Sequence, residues 1–180
     1  MSSFTNLQNI ESSPKTDNWE TPSNLLEEFC KKKKLNLKID VCGTIQNRKF
    51  QKFFSKDIDG LSQEWTEDSF GNFPYSKIKT WIKYAYEQHK KHNINVLVLC
   101  FNKSDTKWYH DFVLGKAEIY PIKGRVKFLI NGKPGKNSSP YPSVFILYRK
   151  KKFPTFLKLI YQVGKFNETN WKIHKGIKNL

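Results

Sequence analysis

Residues 95–101 read Asn-Val-Leu-Val-Leu-Cys-Phe, an uncharged run with no helical spacing of polar positions. A run this short and apolar is the mark of a strand covered on both faces, inside a mainly parallel sheet. Immediately upstream, Ser76 is placed to cap a helix that carries Ile78, Trp81, Ile82 and Ala85 at spacings of three and four. His89-Lys90-Lys91-His92 closes that helix, where cations suit the negative end of its dipole.

Further back, residues 70–73 read as a strand end, residues 50–55 as a short strand, and Leu35 to Gly43 as an alternating strand that opens into a loop. Thr21 is placed as an N-cap, with Pro22 at the first helical position and Leu25, Leu26 and Phe29 forming an apolar stripe. Downstream, residues 105–114 read as a loop and helix. Residues 117–122, 125–130 and 143–148 follow as strands, with a Gly/Pro/Asn/Ser/Lys loop over 131–142. Strands that alternate with helices and then close antiparallel predict an α/β fold: one domain with a mostly parallel, doubly wound sheet. The domain is expected over 18–180, after a disordered tail at 1–17. Residues 149–180 form a basic extension with an amphipathic piece at Phe156, Leu157, Ile160 and Val163.

Thirty-two Lys and Arg against sixteen Asp and Glu give a formal charge of +16. A field of that sign attracts polyanions, so nucleic acid is the leading partner, although an AT-rich coding bias would also enrich Lys and Asn. Cys30, Cys42 and Cys100 are widely spaced and form no CxxC pair, so neither a disulfide framework nor a metal site is expected. No apolar run reaches membrane-spanning length and the N-terminus lacks a signal core, which predicts a soluble, intracellular protein with no membrane partner. Its oligomeric state is open.

Ligands of such a sheet bind beyond the carboxyl ends of the strands, and three groups are expected to meet there. The first is Asp40-Val41-Cys42-Gly43, an acid followed by small residues that let a ligand approach the backbone; the competing reading is a capped strand end. Next comes Asp57 or Asp59, either able to accept both hydroxyls of a ribose, against a plain Asx turn at Asp59-Gly60. The last is Asn72-Phe73-Pro74-Tyr75, whose amide oxygen, main-chain carbonyl and aromatic ring suit the exocyclic amine and face of a base.

These groups occur in order with several other segments. The series runs Trp19-Glu20-Thr21-Pro22, Asp40-Val41-Cys42, Asp59-Gly60-Leu61-Ser62-Gln63-Glu64-Trp65 and Asn72-Phe73-Pro74-Tyr75-Ser76. It continues with Asp105-Thr106-Lys107-Trp108-Tyr109-His110, Gly124-Arg125-Val126-Lys127-Phe128 and Pro140-Tyr141-Pro142-Ser143. Over residues 19–148 the chain resembles the phage-type, Dam-like DNA N6-adenine methyltransferases.

That resemblance implies a Rossmann-like fold and transfer of a methyl group from S-adenosylmethionine to the N6 amine of a flipped-out adenine in DNA. It assigns Trp19, Thr21, Pro22, Asp40, Cys42, Gly43 and Asp59 to the cofactor, and Asn72, Phe73, Pro74 and Tyr75 to catalysis. Trp108, His110, Arg125, Lys127, Lys133 and Lys136 are the candidate DNA contacts, and no metal is required. The alternatives are a catalytically inactive DNA-binding protein that keeps the fold, or the same chemistry on RNA or a protein amide. The family's usual tetrapeptide is Asn-Pro-Pro-Tyr. Phe73 retains the carbonyl but loses the fixed φ of proline, and bulk at the pocket is expected from its ring, so Phe73→Pro is expected to preserve or raise the rate.

Overall fold

A computed structural model describes residues 17–150. The first sixteen residues of the expected tail, and the amphipathic piece from Phe156 to Val163, lie outside the described residues. The helices are α1 (Ser23–Lys33), α2 (Ile78–His92) and α3 (Lys107–Phe112), with a 3₁₀ turn at Tyr75–Lys77. The strands are β1 (Ile39–Asp40), β2 (Lys52–Phe53), β3 (Ser69–Gly71), β4 (Val96–Phe101), β5 (Glu118–Pro121), β6 (Leu129–Ile130), β7 (Lys133–Pro134) and β8 (Ser143–Tyr148).

Six strands form one sheet in the order β2-β1-β3-β4-β8-β5. The first four are parallel, and β8 pairs antiparallel with both β4 and β5. The protein is therefore α/β with a mostly parallel, mixed sheet. Every residue of β4 and β8 is buried, as the uncharged run at 95–101 requires. Helix α1 covers one face through Phe29, stacked on Phe145 at 4.3 Å. On the other face, Tyr148 lies against Tyr86 and His89 of α2 and donates its hydroxyl hydrogen to the Phe112 carbonyl of α3 at 3.0 Å. The links from β1 to β2 and from β2 to β3 contain no helix.

Three local expectations are corrected. Pro22 is itself the cap of α1, with ψ 126°, and no side chain caps that helix. The Thr21 hydroxyl is instead buried inside the fold. Ser76 does not start α2; it lies in the 3₁₀ turn, where its N–H and hydroxyl donate to Asp17 at 3.1 and 2.5 Å. The strand expected over 125–130 is reduced to Leu129–Ile130 and pairs with Lys133–Pro134, inside the expected loop, in a hairpin separate from the main sheet. The alternation that suggested a longer strand is nevertheless present, because Val126 and Phe128 are buried while Arg125 and Lys127 are exposed.

Both long helices end in a left-handed residue: Lys34 with φ 53° and Asn93 with φ 51°. After α1, the N–H groups of Lys34 and Leu35 turn back to the carbonyls of Lys31 and Cys30 at 3.3 and 2.9 Å, which satisfies the last turn.

Candidate active site

The parallel strands β1 to β4 deliver Asp40, Phe53, Gly71 and Phe101 to one edge of the sheet, and the residues after them form the site. Asn72 directly follows β3. Its side-chain nitrogen donates to the Trp19 carbonyl at 2.7 Å, and its main-chain carbonyl accepts the Cys42 thiol at 3.3 Å. Burial pushes that thiol well above its ordinary range, so it stays protonated and able to donate. The Asn72 side-chain oxygen is buried with no hydrogen-bond partner among the described residues. Most buried carbonyl oxygens in folded proteins have a donor, so this one is an exception.

Phe73 is 1% exposed, and its ring stacks on Trp81 at 4.9 Å with 19° between the planes. The side chain therefore lies in the core beneath the loop and adds no bulk at the pocket, contrary to expectation. It fits because residue 71 is glycine: a Cβ there would lie 2.1 Å from the Phe73 ring. Only the main chain of Phe73 remains for the site. Pro74, extended at ψ 122°, turns the chain into the 3₁₀ turn, and its carbonyl accepts from Lys77 N–H at 3.1 Å.

Tyr75 stacks on Phe101 with ring centroids 3.9 Å apart. Its hydroxyl is buried without a partner among the described residues, and burial holds the phenol well above its ordinary range. Beside it opens a cleft of about 320 Å³ with Tyr75, Phe101 and Trp108 among its walls and Lys103 and Asp105 at its polar side. Apolar walls with a few polar groups are the usual make-up of a small-molecule pocket. Asn102 and Ser143, at the same edge, each hold a buried side-chain oxygen without a partner among the described residues. Neither was assigned to the site from the sequence, although Ser143 ends the Pro140–Ser143 segment of the motif series and Asn102 is the first polar residue after the 95–101 run.

Asp40 is 4% exposed, and its carboxylate accepts the N–H groups of Cys42 at 3.2 Å and Lys49 at 3.1 Å. It thereby pins both ends of the loop after β1, and Gly43 is buried against it. Burial, opposed by those two bonds and the Lys49 charge, raises its pKa to about 6. A carboxyl group whose folded pKa lies above its ordinary value binds its proton more tightly when folded. Its contribution to stability is then full below about pH 4 and declines until about pH 6. Relative to Asp40→Asn, the wild-type unfolding free energy should fall by about 3 kcal/mol across that window. Urea denaturation of both proteins at a series of pH values checks this, and parallel pH profiles would refute it.

The loop after β2 locks onto β1. A Cβ on Gly60 would lie 2.1 Å from the Val41 carbonyl, so only glycine permits that approach. The Gly60 carbonyl accepts the Trp65 indole N–H at 2.9 Å, which explains the role of the tryptophan in this segment. Asp57 and Asp59 are both exposed. Asp59 is left-handed at φ 52° and accepts Leu61 N–H at 3.2 Å, which is an Asx turn. Thr21 is 2% exposed, and its buried hydroxyl has no partner among the described residues, just before the N-terminus of α1.

The candidate DNA contacts scatter more widely. Trp108 is 8% exposed and lines the cleft. His110 is exposed on α3, with its ring bonded to the Ser104 carbonyl at 2.9 Å. Arg125 is held to the Pro140 carbonyl at 3.0 Å, and Lys127, Lys133 and Lys136 are exposed on or near the β6–β7 hairpin. Among the described residues, no three His, Cys, Asp or Glu side chains converge as a metal site, and no helix is long and apolar enough to cross a membrane.

The family model described as DNA N-6-adenine-methyltransferase (Dam) matches residues 8–169. A DNA N-6-adenine-methyltransferase of Haemophilus phage HP1 is 26% identical over 139 residues, which cover 75% of this chain and 80% of that protein. The matched span holds every strand of the sheet and the whole edge on which Asn72, Tyr75 and the cleft lie, so the chain belongs to the DNA N-6-adenine-methyltransferase (Dam) family.

Proposed function

We propose that this protein is an adenine-specific DNA methyltransferase of Rossmann-like, single-domain build over residues 18–180, acting inside a cell on a flipped-out adenine. The observation that carries this reading is the buried, unpartnered oxygen of Asn72, with its amide nitrogen already committed to Trp19.

The residues fit S-adenosylmethionine. The unpartnered Thr21 hydroxyl before the free N–H groups of α1 suits a carboxylate, and the Asp40–Gly43 loop offers an acid beside close backbone. Asp59, an exposed acid in the loop after β2, suits the hydroxyls of a ribose. When bound, S-adenosylmethionine supplies an electrophilic sulfonium methyl group.

Adenine N6 is a weak nucleophile because its lone pair is delocalised into the ring. Asn72 Oδ1 and the Phe73 carbonyl would accept the two N6 hydrogens, which would draw the nitrogen towards a tetrahedral state and concentrate its lone pair on N6. Tyr75, Phe101 and Trp108 form the apolar walls for the base, which must leave the duplex to reach them. Catalysis rests on positioning and electrostatics. The exposed Lys127, Lys133 and Lys136 contact phosphates, and Arg125 approaches the backbone or a base edge.

Incubating the protein with labelled S-adenosylmethionine and mixed DNA should place label on adenine N6. Cofactor binding without transfer would instead support the inactive, fold-retaining protein, and label on RNA or protein would overturn the DNA assignment.

A further inference from the structure

We infer that Trp19 is a positioning residue for Asn72, and that the segment from Asp17 to Glu20 straps the catalytic loop to the β6–β7 hairpin. The inference rests on the reading of Asn72 given above and assigns Trp19 a task other than holding the cofactor.

An amide side chain can present either its oxygen or its NH₂ to a ligand. Here the choice is made 53 residues away, because the Trp19 carbonyl accepts from the Asn72 nitrogen at 2.7 Å. The opposite orientation would set two carbonyl oxygens against each other at that distance. The bond therefore commits the nitrogen and leaves the buried oxygen as the presented atom, an acceptor and not a donor. An acceptor is what an amine target needs.

The carbonyl is itself held in place by the indole. Trp19 stacks on Phe128 at 5.2 Å and meets Phe101 and Tyr75 edge-on at 6.0 and 6.4 Å. On its N-terminal side, Asp17 accepts both the N–H and the hydroxyl of Ser76, the residue after Tyr75. On its C-terminal side, Glu20 exchanges two main-chain bonds of 2.9 Å with Leu129, and its carboxylate accepts Gly132 N–H at 3.1 Å. The turn so gripped, Asn131-Gly132, is left-handed at both residues, as a tight hairpin demands. One short segment thus holds the start of the helical turn, the catalytic amide and the base of the hairpin that carries Lys133.

Trp19→Ala should lower kcat at least tenfold and leave the KM for S-adenosylmethionine unchanged, because an error of about 1 Å in a catalytic group costs on the order of a hundredfold. Trp19→Phe, which keeps a ring against Phe128, should recover most of the rate. Nuclear magnetic resonance of the protein alone gives a readout independent of turnover. The two Asn72 side-chain N–H signals should be well separated and protected from exchange in the wild type, and converge on solvent-exposed values in Trp19→Ala. Glu20→Ala, which cuts only the grip on Gly132, should move the same signals part of the way and serves if Trp19→Ala does not fold. Unchanged Asn72 signals in both variants, or a raised cofactor KM with kcat intact, would overturn the proposal. A wild-type protein that transfers no methyl group would instead refute the functional reading, while the resonance comparison still decides the role of Trp19.

Discussion

Asn72→Ala should lower methyl transfer to adenine by about 10²–10³-fold, the usual loss when one preorganised polar contact to the reacting centre is removed. The substitution deletes the amide oxygen that the tetrapeptide offers to the N6 amine. The Phe73 carbonyl remains, so one of two hydrogen bonds survives and the base can still enter the cleft. Cofactor affinity should hardly change, because the Thr21 and Asp40–Gly43 segments keep their own supports. Asp40 stays bonded to Cys42 and Lys49 whatever residue 72 is. Stability should fall only modestly: one hydrogen bond to Trp19 disappears, worth about 1 kcal/mol, and an unpartnered buried oxygen disappears with it. Single-turnover transfer and equilibrium binding of S-adenosylmethionine, measured on the same preparation, separate these effects. Equal turnover in the variant would remove Asn72 from the mechanism.

The contrast between what the sequence revealed and what it hid follows the range of the interactions. The 95–101 run was legible as a core strand because burial on both faces leaves a continuous apolar pattern in one stretch of chain. The alternative reading of Asp40 as a cap on its strand end was legible because its hydrogen-bond partners, Cys42 and Lys49, lie within nine residues. The orientation of Asn72 was not legible, since the atom that fixes it belongs to Trp19, 53 residues away. The strand expected over 125–130 failed for a related reason. Its alternation is real, yet a ladder needs a partner, and only Leu129 and Ile130 find one in β7. Cap chemistry was misread where a longer-range bond outcompeted the local one. Ser76 is held by Asp17, and the Thr21 hydroxyl turns into the fold.

Phe73 is the clearest case of a side chain whose meaning lies in distant partners, and it reverses the simplest expectation about this chain. Proline at position 73 restores the family's usual tetrapeptide, but here it would delete a ring that fills the core between Gly71, Trp65 and Trp81. Loss of a buried phenylalanine ring costs about 3–5 kcal/mol, and proline is too small to fill the space. The stack on Trp81 adds about 1 kcal/mol to that loss. Because Asn72 lies between Gly71 and Phe73, slackening at residue 73 is felt by both hydrogen-bond acceptors. Phe73→Pro should therefore lower the melting temperature by about 10–20 °C and reduce kcat, whereas Phe73→Leu, which refills part of the volume, should lose less of both. Gly71→Ala should fail in the same way from the opposite side, since its methyl group would occupy the place of the ring. Adding Phe73→Leu to Gly71→Ala should recover part of the loss, because the smaller side chain vacates the clashing position. Calorimetry and transfer assays on the two single variants and the pair test the argument. Independent, additive losses would show that Gly71 and Phe73 do not share one site, and a Phe73→Pro protein as stable and active as the wild type would show that the ring merely occupies a place proline can take.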